Sequence, residues 1–345
     1  MVVTGYSYIC LLCLDRFNGE RSFSAIYHLL RGKKTSQTLQ DMQLFGLSGL
    51  FSLFPQIKRE TIEEACRDLE ANKLIGENGN LTSLGKVALD HSLAEMPIPK
   101  ELNSWKHGRG GREAWTRLSL LIQTATHLIH NKSRFLPVTS DEEAQQWVKS
   151  FLAESNLDRI DLAFRLYEEL DLFLTPKQDF MAELFVFRLT TPKRAGLTYV
   201  QLEEKLGKDP VYLELCFWSL MHDLLENAVT SNAVLLSKLI VKGPESLPLT
   251  QSAKRTLMLL KQGKSKGDAC KIRNLKMSTI EDHIVEIAMH DRSFDLNPYL
   301  LPDEKDEIAQ AIGRLKTKQL KNIKENLDNK YTYFQIRLGM AVTKR

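Results

Sequence analysis

The sequence predicts a mainly α-helical protein with an N-terminal winged helix-turn-helix bearing a small β-hairpin, a helical middle domain, and a C-terminal helix-turn-helix domain. Three observations predict it. Apolar residues recur at helical spacing through most of the 345 residues. Asn78-Gly79 is a two-residue hairpin signal, because both residue types tolerate positive φ. The end of the chain carries three short helical patterns separated by turn residues. A chain of this length holds about two or three domains, and the boundaries are expected at about residues 1–95, 96–245 and 246–345.

In the first domain, residues 6–17 form an apolar, buried segment. Residues 20–30 follow, with Ala25, Ile26, Leu29 and Leu30 on one face and Gly32 as the stop. Residues 61–72 place Ile62, Ala65, Cys66 and Leu69 at i, i+3, i+4 and i+7, the inner stripe of an amphipathic helix. Helix, helix, then helix plus hairpin is the order of a winged helix-turn-helix. Beyond it, residues 96–99 extend the chain through two prolines, and residues 106–112 read as a Gly/Arg-rich loop. Helices are expected over residues 113–130, 141–152, 157–172 and 177–188. Residues 198–206 and 211–225 form a further pair. Leu213, Phe217, Leu220, Met221 and Leu224 make the second of that pair a core helix. Residues 242–248, with one Gly and two Pro, mark the last boundary.

In the last domain, Thr250 or Ser252 caps a helix whose inner stripe is Ala253, Leu257 and Leu260, and Gly263 ends it. A second helix runs over about residues 266–272. After a turn, Ser278 and Glu281 have the spacing of a capping box. The third helix, residues 279–289, buries Ile280, Ile284 and Ile287 and turns Thr279, Asp282, His283 and Glu286 outward. The last helix of such a module can enter a major groove, which makes Ser278, Thr279 and His283 its candidate contacts. Glu281, Asp282 and Glu286 would repel phosphate. Attraction is therefore expected from Lys264, Lys266, Lys271, Arg273 and Lys276 before the helix, and from Arg314, Lys316, Lys318, Lys321 and Lys324 after it. Charges so placed grip a backbone better than they read bases. In the N-terminal domain the corresponding candidates are Arg31, Lys33, Lys34, Lys58 and Arg59. A three-helix module of this kind also serves for protein docking, and that reading stays open.

Charge is unevenly spread. Lys and Arg number 47 against 43 Asp and Glu, a net of +4. Residues 250–345 hold 19 basic and 12 acidic residues, a net of +7. A local excess of this sign favours polyanion partners, or else marks a solvated basic face. The five cysteines, Cys10, Cys13, Cys66, Cys216 and Cys270, are odd in number and scattered, which is no disulfide framework. No apolar run reaches the ~18 residues of a membrane span. The apolar stretch 8–14 has no basic region before it and is cut by Asp15, unlike a signal peptide. A cytoplasmic protein, associated with the nucleoid, is expected.

Particular residues also resemble a known family. Gln262-Gly-Lys-Ser265, Arg273-Asn-Leu275 and Ser278-Thr-Ile-Glu-Asp-His-Ile284 resemble the helix-turn-helix domain at the C-terminus of many RecQ-type helicases. Residues 320–327 and 333–337 resemble the tail of that domain. Gly19-Glu-Arg21, Leu30-Arg-Gly-Lys-Lys34 and Leu44-Phe-Gly-Leu47, with residues 69–84, resemble the RecQ C-terminal winged helix. Both ends together, with a helical middle and no motor, resemble the YpbB family, Firmicute proteins associated with a separately encoded RecQ-like helicase. The resemblance implies a protein that supplies in trans the DNA-binding appendages of a RecQ motor. The implied partners are that helicase and forked or branched DNA, in replication, recombination or repair. The chain departs from the RecQ pattern twice. It lacks a four-cysteine zinc module, and its hairpin tip, Glu77-Asn-Gly-Asn80, carries no aromatic wedge.

Other motifs point to no chemistry. Gly263-Lys264-Ser265 resembles the end of a phosphate loop, but Met258 stands where the first glycine belongs. Cys10 and Cys13 lie in an apolar helix and fit core packing better than zinc. His127 and His130 have no third ligand and are expected at the surface or an interface. Glu142-Glu143 and Glu168-Glu169 are expected to be solvated. No catalytic constellation and no cofactor or metal site is expected. The alternatives are a protein–protein adaptor and a transcriptional regulator.

Overall fold

A computed structural model of the chain describes residues 2–132, 134–230, 234–239, 249–315 and 317–342, with the backbone alone for residues 228–230. The expected boundary at residues 242–248 lies outside the described residues. So does the candidate Lys316.

Seventeen α-helices are found among the described residues. The first six are α1 (Gly5–Phe17), α2 (Phe23–Arg31), α3 (Ser36–Leu44), α4 (Arg59–Ala71), α5 (Ser83–Glu95) and α6 (Ser104–Ile129). Next come α7 (Glu142–Glu154), α8 (Arg159–Leu174), α9 (Asp179–Phe187), α10 (Tyr199–Leu206) and α11 (Pro210–Thr230). The last six are α12 (Gln251–Lys261), α13 (Lys266–Arg273), α14 (Met277–His290), α15 (Pro302–Leu315), α16 (Leu320–Asn326) and α17 (Tyr333–Val342). The chain is mainly helical, as the periodicity requires. Ile62, Ala65, Cys66 and Leu69 are the buried residues of α4, and Gly32 ends α2 in the left-handed region at φ +80°. A Cβ at Gly32 would also strike Ser52, so both the turn and the close approach call for glycine there.

The expected wing is absent. Among the described residues no β-strand forms. Gly79 takes φ +73° but Asn78 does not take positive φ, so the two-residue hairpin turn is not made. Instead, Gly79 N donates to Gly76 O (2.8 Å) and Gly76 N to Asn80 O (2.9 Å), closing a three-residue loop. Thr82 already caps α5, its side chain accepting from Gly85 N, and this leaves too little chain for a second strand. The Gly/Arg-rich stretch 106–112 is also not a loop. It lies within α6, where Gly108 and Gly111 are buried; a Cβ on Gly111 would sit 3.3 Å from the His222 ring of α11. Here glycine serves close helix packing rather than a turn.

The chain divides into two compact units that do not follow sequence order. One comprises residues 1–12, 60–75 and 82–243; the other comprises 13–59, 76–81 and 244–345. In the first unit α6 packs on α7, α8 and α11, and α11 packs on α9 and α10. Leu120, Leu121, Val148, Phe151, Leu162 and Leu166 form one core cluster there. Trp115 of α6 meets Phe185 of α9 and Phe217 of α11 edge to face. All five residues expected in the core of α11 are buried. The unit is closed by long-range bonds, Tyr8 Oη donating to Met96 O (2.6 Å) and Val3 N to Ser92 Oγ (2.8 Å).

In the second unit α14 is the central helix. It packs on α12, α13, α17 and α3, and α17 packs in turn on α15, α16 and α3. Leu249, Ala253, Leu257 and Ile287 form a core cluster between α12 and α14. The helix-turn-helix expected at residues 250–290 is present. Its surroundings, residues 13–59, come from the other end of the chain.

Candidate nucleic-acid interface

The residues expected to touch DNA separate into an exposed set and an internally bonded set. Arg31, Lys33, Lys34, Lys58, Arg59, Lys264, Lys271, Lys276, Ser278, Arg314 and Lys321 are exposed. Arg31 leans on Tyr27, its guanidinium 5.7 Å from the ring centre and bonded to the hydroxyl. Lys33 Nζ lies 3.5 Å from His28 Nε2, and partial burial, followed by the Lys33 and Arg59 charges, lowers the His28 pKa.

Arg273 is turned inward. Its guanidinium donates to Ser252 O (2.6 Å), Ser252 Oγ (2.9 Å) and Thr256 Oγ1, tying α13 to α12. His283, expected outside, is buried. Its Nδ1 meets Thr256 Oγ1 at 2.9 Å, and burial followed by the Arg273 charge pushes its pKa down to about 4. A neutral, buried imidazole makes no phosphate contact. Lys266 is half-buried, paired with Glu281 at 2.7 Å and lying over Phe334. Lys324 is half-buried over Tyr333, and Thr279 is half-buried.

The acids that argued against phosphate contact are engaged as well. Glu281 pairs with Lys266, and Asp282 with Arg337 of α17. Glu286 is buried and accepts from the backbone N–H and hydroxyl of Thr250, at the start of α12. These acids fasten α14 to its neighbours. The capping box expected at Ser278 and Glu281 is found instead at Ser265 and Asp268, on α13. Helix α14 begins at Met277 behind Lys276, so Ser278 lies within the helix. With α12, α13, α17 and α3 against it, α14 exposes little beyond its first turn, and it is not a free reading helix.

A groove of about 620 Å³ brings the two ends of the sequence together. Lys33 lines it from the N-terminal segment, and Lys318 and Lys321 from the C-terminal domain. Residues not foreseen from the sequence also line it, namely Arg21, His28, Gln40, Asp41 and Arg337. Arg21 Nε donates to Asp41 at 2.7 Å, and Arg337 Nε donates to Gln40 at 3.0 Å. Asp41 is buried; desolvation raises its pKa against the pull of Gln37 and Arg21. Lys318 holds its Nζ 4.0 Å over Phe45, while its backbone N–H and the Thr317 hydroxyl donate to Glu20. No short-range sequence signal marks this assembly, because its parts lie some 297 positions apart.

The charge follows the units. The second unit contains 26 Lys and Arg against 17 Asp and Glu, a net of +9; the first contains 21 against 26, a net of −5. Every described candidate falls in the basic unit.

The remaining motifs are structural. Cys10 and Cys13 are fully buried. His127, contrary to expectation, is buried, its Nδ1 2.7 Å from Gln123 O and its ring tilted against Phe135, centres 4.3 Å apart. Glu169 is not merely solvated but accepts from the backbone N–H groups of Leu235 and Leu236. Among the described residues no three His, Cys, Asp or Glu are grouped to hold a metal, and no helix is long and apolar enough to cross a membrane.

Residues 252–340 match the family model described as "Helix-turn-helix domain". The chain is similar to Protein YpbB of Bacillus subtilis (strain 168), 33% identical over 346 residues that cover 99% of this chain and 98% of that protein. No solved structure matches it. With a third of the residues shared along essentially the whole length of both proteins, the chain belongs to the YpbB family.

Proposed function

We propose that this protein is a non-catalytic DNA-binding accessory protein that partners a RecQ-like helicase on forked or branched DNA in replication, recombination or repair. The observation that carries the DNA part is the gathering of basic residues from both ends of the chain into one unit of net charge +9, around a matched helix-turn-helix domain. The helicase part rests on the resemblance of the two ends to RecQ appendages.

The grip is on the backbone. Lys33, Lys34, Lys264, Lys271, Lys276 and Lys321 are exposed and suited to phosphate, whereas α14 is packed on several sides and, of its three candidate contacts, exposes only Ser278. This weighs against a sequence-specific transcriptional regulator. The covering of α14 also favours a second reading, in which the helix-turn-helix is a protein-docking scaffold.

Fluorescence anisotropy at low salt on forked, single-stranded and duplex DNA separates the two. Binding that weakens steeply with salt supports the first. No binding to any of them leaves the adaptor. Purified RecQ-like helicase from the same organism, mixed with the protein and passed over a sizing column, tests the partner independently.

A further inference from the structure

We infer that the groove between the N-terminal segment and the C-terminal domain of the basic unit accepts unpaired nucleotides of single-stranded DNA, and that this groove, rather than α14, is the unit's main nucleic-acid site. The inference rests on the DNA-binding reading and goes further by naming the form of DNA.

Its size is the first argument. A cavity of about 620 Å³ lies in the range of pockets that enclose a small molecule. A base that remains stacked and paired within a duplex cannot enter such a space, whereas an unpaired one can turn out of its strand. The lining is the second. Ala25, Leu29, Leu44, Met289, Leu320 and Met340 offer apolar surface for a base and sugar. Lys33, Lys318 and Lys321 offer cations for the phosphates on either side. Single-strand sites combine a basic groove that tracks the backbone with rings on which bases stack, and Phe17 and His28 line the same groove.

Arg21 and Arg337 are each held in place, the first by Asp41 and the second by Gln40 and Asp282. Their guanidinium groups stand in the groove wall without the entropy of a free side chain, each with its charge partly balanced by a carboxylate. Lys321 has only a long contact with Glu325, 3.9 Å between two exposed groups, so it can turn to a phosphate at little cost. Gln37, Thr35 and Thr38 lie along the same wall and carry donors and acceptors. Helix α14, the element a duplex reader would insert, is packed against α3 and α17.

The test uses the full chain and two labelled probes, an oligothymidylate of ~16 nucleotides and a blunt mixed-sequence duplex of the same length. The expected result is tighter binding of the single strand. Lys33→Ala with Lys318→Ala and Lys321→Ala is expected to weaken it about tenfold or more and to flatten its salt slope by about 2, since each phosphate contact on a single strand contributes ~0.7. Duplex binding should change far less. Ala25→Trp fills the groove without altering charge and should also weaken the single strand selectively. Circular dichroism and melting of each variant identify folding losses, and Lys33→Glu alone, at an exposed position, repeats the test if the triple variant unfolds.

Equal or tighter duplex binding by the parent protein overturns the inference. So does an Ala25→Trp variant that folds and keeps full single-strand affinity. Failure of the parent protein to bind either probe overturns the DNA-binding reading itself, and the two failures are thereby distinguished.

Discussion

Arg337 Nε donates to the amide oxygen of Gln40 at 3.0 Å, while its other nitrogen meets the Asp282 carboxylate. One side chain thus joins the last helix to α3 and to the central helix of the helix-turn-helix. Arg337→Ala leaves Gln40 and Asp282 without this partner in a partly buried place. The expected cost is about 2–4 kcal/mol, read as a lower urea midpoint. Arg337→Lys keeps one charge but loses the planar fork, and should fall between the two. An unchanged midpoint for the alanine variant would remove this joint from the account of stability.

Acid should weaken the basic unit. Burial lowers the pKa of both His283 and His290 to about 4. In the unfolded chain each returns to the ordinary value near 6.5. Between these values the unfolded state binds more protons, so the stability present above about pH 6.5 is lost as pH falls toward 4. Near pH 5 the loss is about 2 kcal/mol for each histidine. Asp41 and Glu286, whose pKa values burial raises, work in the opposite direction at the acid end. Thermal melts at neutral pH and near pH 5 measure the net. His283→Gln should shrink the difference; an undiminished pH dependence would show that His283 is not its source.

Gly85→Ala should unfold the start of α5. A Cβ there would stand 1.9 Å from the carbonyl oxygen of Leu74, a backbone atom that no rotamer change can move. The expected loss exceeds the ~1 kcal/mol typical of a point substitution, and resistance to limited proteolysis around residues 72–86 should fall with it. A melting temperature equal to that of the parent protein would contradict the packing of this turn.

Thiol chemistry offers a direct check on burial. Cys10, Cys13, Cys66 and Cys216 are buried, and burial pushes the Cys216 thiol up to about 12. Cys270 is partly exposed, with its Sγ 3.7 Å from Met277 Sδ. A colorimetric disulfide reagent should therefore titrate one thiol quickly in the native protein and the other four only after denaturant. Cys270→Ser should abolish the fast phase. Rapid reaction of two or more thiols would disprove the burial of a cysteine-bearing face of α1, α4 or α11.

The helices were readable because their cause is local. The stripe of Ile62, Ala65, Cys66 and Leu69 needs only the 3.6-residue period and an apolar interior. Two local signals misled. Asn78-Gly79 has hairpin chemistry, but Thr82 begins a helix before a second strand can form. Residues 106–112 have loop composition, but Gly110 and Gly111 meet α11. The role of a side chain was less readable than its element. Glu281, Asp282 and Glu286 counted as exposed acids on a reading helix, yet their partners Lys266, Arg337 and Thr250 lie 15, 55 and 36 positions away.

By itself the sequence determined a mainly helical protein, a helix-turn-helix near its C-terminal end, an excess of basic charge there, and membership of its family through residues at both ends. The tertiary structure decided which charges face outward, which pair internally, and that Lys33 shares a groove with Lys318 and Lys321. The reason is physical. Periodicity and capping act over a few residues, where one chain segment dictates its own conformation. Burial and ion pairing depend on which distant segments meet, and that is settled only when α14 is packed among α3, α12, α13 and α17.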